Sequence, residues 1–312
     1  MNCKQPCVAT IGFFDGVHRG HQFLIKHVIN EAHKAGLLSL VVTFDRHPRQ
    51  VLHQDYQPEL LTTLDEKVSL LRQTGIDNVE VLHFDTGLAS LTARDFMQQV
   101  LHDKLNVRKL VIGYDNRFGH NRSEGFDDYV RYGKEMGIEV IHNTAYLLNG
   151  VKVSSSVVRS FLKEGEVQMA SLCLGRDYAI AGKVVSGYKE GRKIGYPTAN
   201  LDASASGLLI PKGGVYAVMA RIDGESRWRQ AMMDIGTRPT FEGDHTSLEV
   251  NIFDYQGNLY GKTLQVRFVK RVRDELKFSN VAALTSQLSK DEIKIRQILA
   301  ENNKQDTINE NE

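Results

Sequence analysis

The 312-residue sequence has little cysteine, almost no net charge and no long apolar run, and each absence narrows what the chain does. Its three cysteines, Cys3, Cys7 and Cys173, form neither an even framework nor a metal-ligand spacing. Lys and Arg number 39 against 38 Asp and Glu, a formal net charge of +1, which leaves no basic excess for a nucleic-acid backbone. No apolar stretch approaches the length of a membrane span, and the first residues lack the apolar core of a secretion signal. Internal repeats and low-complexity segments are also missing. The expectation is a cytoplasmic chain with neither a nucleic-acid nor a membrane partner, long enough for two domains. Composition is silent on oligomeric state.

What is present changes character along the chain. Up to about residue 172, strand-like runs (8–11, 38–44, 79–84, 109–113 and 138–142) alternate with helical patterns (21–35, 65–74, 93–105 and 127–136). Such alternation predicts a parallel sheet with helices on both faces, which binds ligands at the carboxyl ends of its strands. A helical stretch at 166–174 reads as a connector. From about residue 177 the period becomes two, over 179–185, 213–222, 230–235, 248–252 and 264–268. Turns are expected at Asp223-Gly224, Asp244-His245 and Gln256-Gly-Asn258, so this half reads as an antiparallel barrel. A closing helix carries Leu284, Leu288, Ile295 and Leu299 on one face, and 302–312 reads as a disordered polar tail.

The chemistry concentrates in a few stretches. Gly12-Phe-Phe-Asp-Gly-Val-His-Arg-Gly-His21 lies where the first strand ends and the first helix begins. Unpaired N–H groups and the helix dipole favour an anion there. His18 and His21 add ring donors, and Gly20 admits close approach to the backbone. A structural zinc site would need more Cys, His or carboxylate ligands than this stretch supplies. Ser154, Ser155 and Ser156 precede Arg159 on a helix expected at 157–163. The serines read as caps, or, together with the guanidinium, as a polyphosphate site. Gly113-Tyr-Asp-Asn-Arg-Phe-Gly119 is a polar loop at the end of another strand of the same sheet.

In the second half, Gly182, Gly187 and Gly191-Arg-Lys-Ile-Gly-Tyr-Pro-Thr-Ala-Asn200 form a glycine-rich basic loop running into a strand. Its glycines offer backbone N–H groups to phosphate, while Thr198 and Asn200 offer oxygen ligands to a hard cation. Glu249 lies on the polar face of a strand, as either a solvated charge or a general base.

Assembled, these residues resemble the bifunctional bacterial riboflavin kinase/FMN adenylyltransferase (FAD synthetase) family over roughly residues 6–300. Gly12–His21 matches its Gly-x-Phe-Asp-Gly-Val-His-x-Gly-His pattern. Val153-Ser-Ser-Ser-Val-Val-Arg159 resembles its Ile-Ser-Ser-Thr-x-Ile-Arg motif. The stretch from Gly191 to Asn200 resembles its kinase signature, and Ile235-Gly-Thr-Arg-Pro-Thr240, Leu248-Glu249 and Arg273-Asp-Glu-Leu-Lys-Phe278 follow in the family order. Three residues depart from the pattern: Asn116 for an aromatic, Ser156 for Thr, and Asn251 for a His.

The resemblance implies a Rossmann-like nucleotidylyltransferase domain at 1–172. A β-barrel riboflavin kinase domain with a terminal helix follows at 173–303, and a polar tail at 304–312. It implies ATP-dependent phosphorylation of riboflavin to FMN, then adenylylation of FMN to FAD with release of pyrophosphate. Glu249 is then the kinase base, and Thr198 and Asn200 hold Mg²⁺. Gly191, Arg192 and Gly195 cover ATP phosphates. In the other half, His18, His21 and Arg159 act on phosphate beside Gly12, Phe13, Phe14, Asp15, Gly16, Ser154, Ser155 and Ser156. Asp115, Asn116, Arg273 and Phe278 take the flavin sides. Two other readings keep the same motifs: an adenylyltransferase for a different acceptor, and a non-catalytic flavin sensor. The paired presence of Glu249 and the 197–200 segment argues against both.

Overall fold

A computed structural model describes residues 5–52, 55, 57–187, 190–240 and 243–309. The chain divides into two units, Met1–Ser155 and Ser156–Glu312. In the first, strands β1 (Cys7–Ile11), β2 (Leu38–Phe44), β3 (Asn78–Leu82), β4 (Val107–Ile112) and β5 (Glu139–His142) form one parallel sheet in the order β3-β2-β1-β4-β5. β1 is buried along its whole length, as a central parallel strand covered on both faces must be. Alternate residues serve opposite faces. Cys7, Ala9 and Ile11 join Leu40, Val42 and Phe44 in one core, while Val8, Val41 and Val111 join another.

The second of these cores is completed by α1 (Arg19–Ala35), through Leu24, Ile25, Val28 and Ala32. α1 ends on Gly36, whose positive φ and N–H bonds to the carbonyls of Ala32 and His33 close the helix. α2 (Leu64–Gln73) opens on a capping box between Thr63 and Glu66. The helix expected at 93–105 is a short α3 (Ala93–Phe96) that passes into a wider π-type stretch at Met97–Lys104. α4 (Phe126–Met136) precedes β5.

The second unit begins along α5 (Ser155–Glu164) and α6 (Val167–Leu174). Lys212 N–H bonds to the carbonyl of Leu162 at 3.0 Å, so α5 is tied to the barrel chain. Strands β6 (Ala179–Val185), β7 (Ala199–Asp202), β8 (Gly214–Ile222), β9 (Arg229–Thr240), β10 (Gly243–Ile252) and β11 (Thr263–Arg273) close a barrel in the order β8-β9-β10-β7-β6-β11. α7 (Val281–Asn309) lays Leu288, Ile295 and Leu299 against Val215, Ala217, Met232 and Val269.

Three sequence expectations are corrected. Asp244 and His245 are not a turn: they pair with Pro239 and Arg238 inside the β9–β10 ladder, and the 241–242 connection lies outside the described residues. Gly182 belongs to β6, not to a loop. It sits against the carbonyl of Asp202 on β7. The expected tail continues as helix to Asn309, because extending a helix already formed demands far less than starting one.

Candidate active sites

The turn between β1 and α1 is strained. Phe14 and Val17 are non-glycine residues at φ 55 and 39, and Gly16 is at φ 80. A β-branched residue in that region is an outlier held by its surroundings, as at many reactive sites. The turn delivers His18 as the N-cap of α1, its Nδ1 accepting the backbone N–H of His21 at 3.2 Å. His18 therefore carries its proton on Nε2. The two imidazoles stack at 3.6 Å, 19° from parallel, and Phe14 meets His21 edge-on at 5.0 Å. Burial, then the neighbouring His18 and Lys67, hold the His21 pKa well below the usual histidine range. At neutral pH His21 is an uncharged donor, and its buried Nδ1 has no hydrogen-bond partner among the described residues. Gly20 is closely packed: a Cβ there would stand 3.0 Å from the carbonyl of Val153, tighter than an ordinary contact.

Asp15 points into the protein. Its carboxylate is buried, accepting the N–H groups of Leu61 at 3.0 Å and Thr62 at 3.2 Å and the Thr62 hydroxyl at 3.3 Å. Thr62 in turn accepts the N–H of Gly16 at 3.1 Å, and Ser155 donates its hydroxyl to the carbonyl of Asp15 at 3.0 Å. Asp15, Thr62 and Ser155 thus brace the histidine turn. Ser154 precedes α5, while Ser156 and Arg159 lie further along it, in the second unit.

Beside the turn is a cavity of about 390 Å³, lined by Gly12, Phe13, Phe44, Phe84, Phe96 and Phe118 among others. It joins the carboxyl ends of β1 and β2 to the 113–119 loop, as the sheet topology predicts. Asn116 lines it, but its amide donates to the carbonyl of Ile11, fastening the loop to β1. Asp115 does not line it, and accepts the Tyr114 hydroxyl at 2.6 Å. Phe84 and Phe96 escaped the sequence reading because they look like ordinary core residues. Lys67, a charged residue on α2, escaped it too.

In the barrel, the Thr198 hydroxyl donates to Glu249 Oε2 at 3.0 Å. Asn200 on β7 is the antiparallel partner of Glu249 on β10, and Thr198 immediately precedes β7. Asn251, two residues on from Glu249 and buried, donates to the carbonyl of Pro197 at 2.7 Å. It holds the 197–200 segment against β10. Gly191 leaves room for the carbonyl of Tyr196, whose N–H returns a 2.8 Å bond to the Gly191 carbonyl. Gly195 takes φ 86. Arg192, Pro197 and Thr198 line a second cavity of about 550 Å³ with Tyr255 and Tyr260.

This donor set of hydroxyl, amide and carboxylate is all oxygen, as a hard cation requires. Among the described residues no group of three or more His, Cys, Asp or Glu could hold a metal by itself. Arg273 is committed elsewhere: its Nε and Nη2 fork onto Asp291 of α7 at 2.9 and 2.8 Å, fixing the start of the 274–278 segment. Phe278, at the end of that segment, is partly exposed.

Comparison with known proteins adds an independent line. A family model described as FAD synthetase matches residues 1–157, and one described as riboflavin kinase matches 174–299. The bifunctional riboflavin kinase/FMN adenylyltransferase of Escherichia coli K12 is 37% identical over 294 residues, covering 94% of this chain and 93% of that protein. The protein of the same name from Bacillus subtilis 168 is 36% identical over 291 residues, covering 91% and 90%. A crystal structure named as a macrolide-efflux protein from Streptococcus pneumoniae superposes with a TM-score of 0.85 at 33% identity, over 94% of both chains. That likeness shows a shared fold. Among the described residues no helix is long and apolar enough to cross a membrane.

Proposed function

The chain belongs to the bifunctional riboflavin kinase/FMN adenylyltransferase family, and from that premise we propose which side chains carry each of its two reactions. It phosphorylates riboflavin with ATP to give FMN, and joins FMN to AMP from a second ATP to give FAD and pyrophosphate.

In the barrel, Glu249 takes the proton of the riboflavin 5′-hydroxyl as that oxygen attacks the γ-phosphorus of ATP, and ADP leaves. The observation that carries this assignment is the 3.0 Å contact between Thr198 Oγ1 and Glu249 Oε2, with Asn200 in register beside them. Thr198 and Asn200 would hold Mg²⁺. Bound there, the ion supplies charge neutralisation to the phosphate oxygens. Gly191, Arg192 and Gly195 cover the phosphates. Phe278 meets the flavin, and Arg273 acts by anchoring the segment that carries it.

In the first unit, a phosphate oxygen of FMN attacks the α-phosphorus of ATP and the α–β bridging bond breaks. That nucleophile is ionised at neutral pH, so the unit needs positioning and charge stabilisation in place of a strong base. The His18 Nε2–H and the neutral His21 ring donate to the phosphate oxygens over the N-terminus of α1. Gly12 to Gly16 shape the approach, with Asp15 bracing them. Ser154 and Ser155 of this unit complete the triphosphate side. The aromatic cavity receives the isoalloxazine, bounded by Asn116, with Asp115 holding the loop. Residues 1–172 carry this step and 173–303 the kinase step, in the cytoplasm, where ATP is supplied.

The test is chromatography of flavins made by the full chain from riboflavin and ATP, with Mg²⁺ supplied and withheld. The assignment predicts FMN then FAD only with the ion, and an Asn200→Ala chain that fails to phosphorylate riboflavin yet converts added FMN. An Asn200→Ala chain phosphorylating riboflavin at the wild-type rate and Mg²⁺ dependence would remove Asn200 from the site.

A further inference from the structure

Lys67 is 2% exposed, the only buried lysine among the described residues. Its ammonium donates to the carbonyl of Phe44 at 2.8 Å and lies 3.9 Å from the centre of the Phe13 ring. Phe13 lies two residues past β1, Phe44 ends β2, and both line the aromatic cavity. Two carboxylates face the ammonium from different elements. Asp15 comes from the histidine turn and Asp45 from the residue after β2. Asp45 accepts the N–H of Phe84, a third wall of the cavity, at 3.0 Å, and His83 Nδ1 at 2.6 Å. His21, on α1, also feels the lysine's charge. α2 therefore grips the site at two points: Leu61 and Thr62 at its entry hold Asp15, and Lys67 one turn in holds the strand ends.

We propose that Lys67 is a positioning residue for adenylyl transfer: its ammonium fixes the Phe13 and Phe44 walls of the flavin cavity in register with the turn that carries His18 and His21. This inference rests on the assignment of that cavity and turn to the FMN step. A buried ammonium is a poor choice for stability alone, since an apolar side chain of similar length packs in the same space without giving up hydration. A lysine there makes sense if it orders the two aromatic walls and the two carboxylates around one charge. Burial lowers its pKa to about 8, with Asp15 and Asp45 opposing the fall. The charge that aligns the cavity is thus lost just above neutral pH, whereas an arginine would keep it.

The experiment measures FMN adenylylation and riboflavin phosphorylation side by side in the full-length wild-type chain and in Lys67→Met and Lys67→Arg, across alkaline pH. A wild-type chain that makes no FAD from FMN and ATP defeats the functional assignment itself, before any variant is compared. Given that activity, Lys67→Met is expected to raise the KM for FMN at least about tenfold, with a smaller change in kcat. Riboflavin phosphorylation stays at the wild-type level. Wild-type adenylylation is expected to fall above pH about 8, and Lys67→Arg to move that fall upward. Wild-type KM and pH profile in Lys67→Met would overturn the proposal. If Lys67→Met loses both activities through misfolding, the arginine variant decides. An unmoved alkaline limb overturns the proposal, and a displaced one upholds it.

Discussion

Replacing Asp15 by alanine should damage one unit of the chain and leave the other intact. The buried carboxylate is the acceptor for two backbone N–H groups, those of Leu61 and Thr62. Alanine leaves both buried donors without it. Each orphaned donor costs about 1–3 kcal/mol, so the first unit should lose roughly 2–6 kcal/mol, a large part of a typical domain stability of about 5–15 kcal/mol. An asparagine side chain would retain one accepting oxygen, so Asp15→Asn should lose about half as much.

The two units can be followed separately, because the only tryptophan, Trp228, lies in the second. It is held between Arg221 at 4.7 Å and Arg267 at 3.9 Å. Urea titration of Asp15→Ala should leave the tryptophan fluorescence transition in place. A separate component of the circular dichroism transition should move down by roughly 1–2 M, at slopes of about 1–3 kcal/mol per molar urea. FMN adenylylation should be lost and riboflavin phosphorylation retained. An unshifted dichroism profile would refute the bracing role of Asp15, and an equal shift in both probes would refute its confinement to one unit.

Three further outcomes follow from the geometry. Glu249→Gln keeps an acceptor for the Thr198 hydroxyl but removes the base, so riboflavin phosphorylation should fall by about 10²–10⁴ with FMN adenylylation unchanged; equal loss of both steps would point to unfolding. Asp291→Ala leaves the Arg273 guanidinium without its buried counter-charge, which should destabilise the tryptophan-reported transition by about 3–5 kcal/mol. Burial pushes the Lys67 pKa down to about 8 in the folded chain, from an ordinary value of 10.5. Between those values the unfolded chain binds more protons, so stability should rise with pH, by up to about 3 kcal/mol. A difference in stability between wild type and Lys67→Met that stays constant from pH about 7 to 11 would contradict this. Stability and FMN adenylylation should therefore move in opposite directions above pH about 8.

Much of this was legible in the residues. Period and turn chemistry located both folds, because a doubly covered parallel strand such as β1 and a barrel strand such as β11 leave different marks. The strand-to-helix turn exposed His18 and His21, whereas the register that sets Asn200 opposite Glu249 came only with the fold. Roles set by side-chain direction were not legible. Asp15 sits in the most ligand-like motif of the chain, yet its carboxylate turns inward to a loop 46 residues away. Asn116 and Arg273 resemble flavin contacts, but are tied to Ile11 and Asp291. Lys67 carries no motif; only the fold buries it.

The central claim is that the two reactions occupy separate side-chain sets in one chain. It is tested most directly by giving purified His21→Ala protein riboflavin, ATP and Mg²⁺ and separating the flavins over time. Loss of a preorganised donor should slow FAD formation by about 10²–10³, so FMN is expected to accumulate at the wild-type rate with almost no FAD. A folded His21→Ala chain that makes FMN as slowly as FAD, or makes FAD at the wild-type rate, would contradict the account.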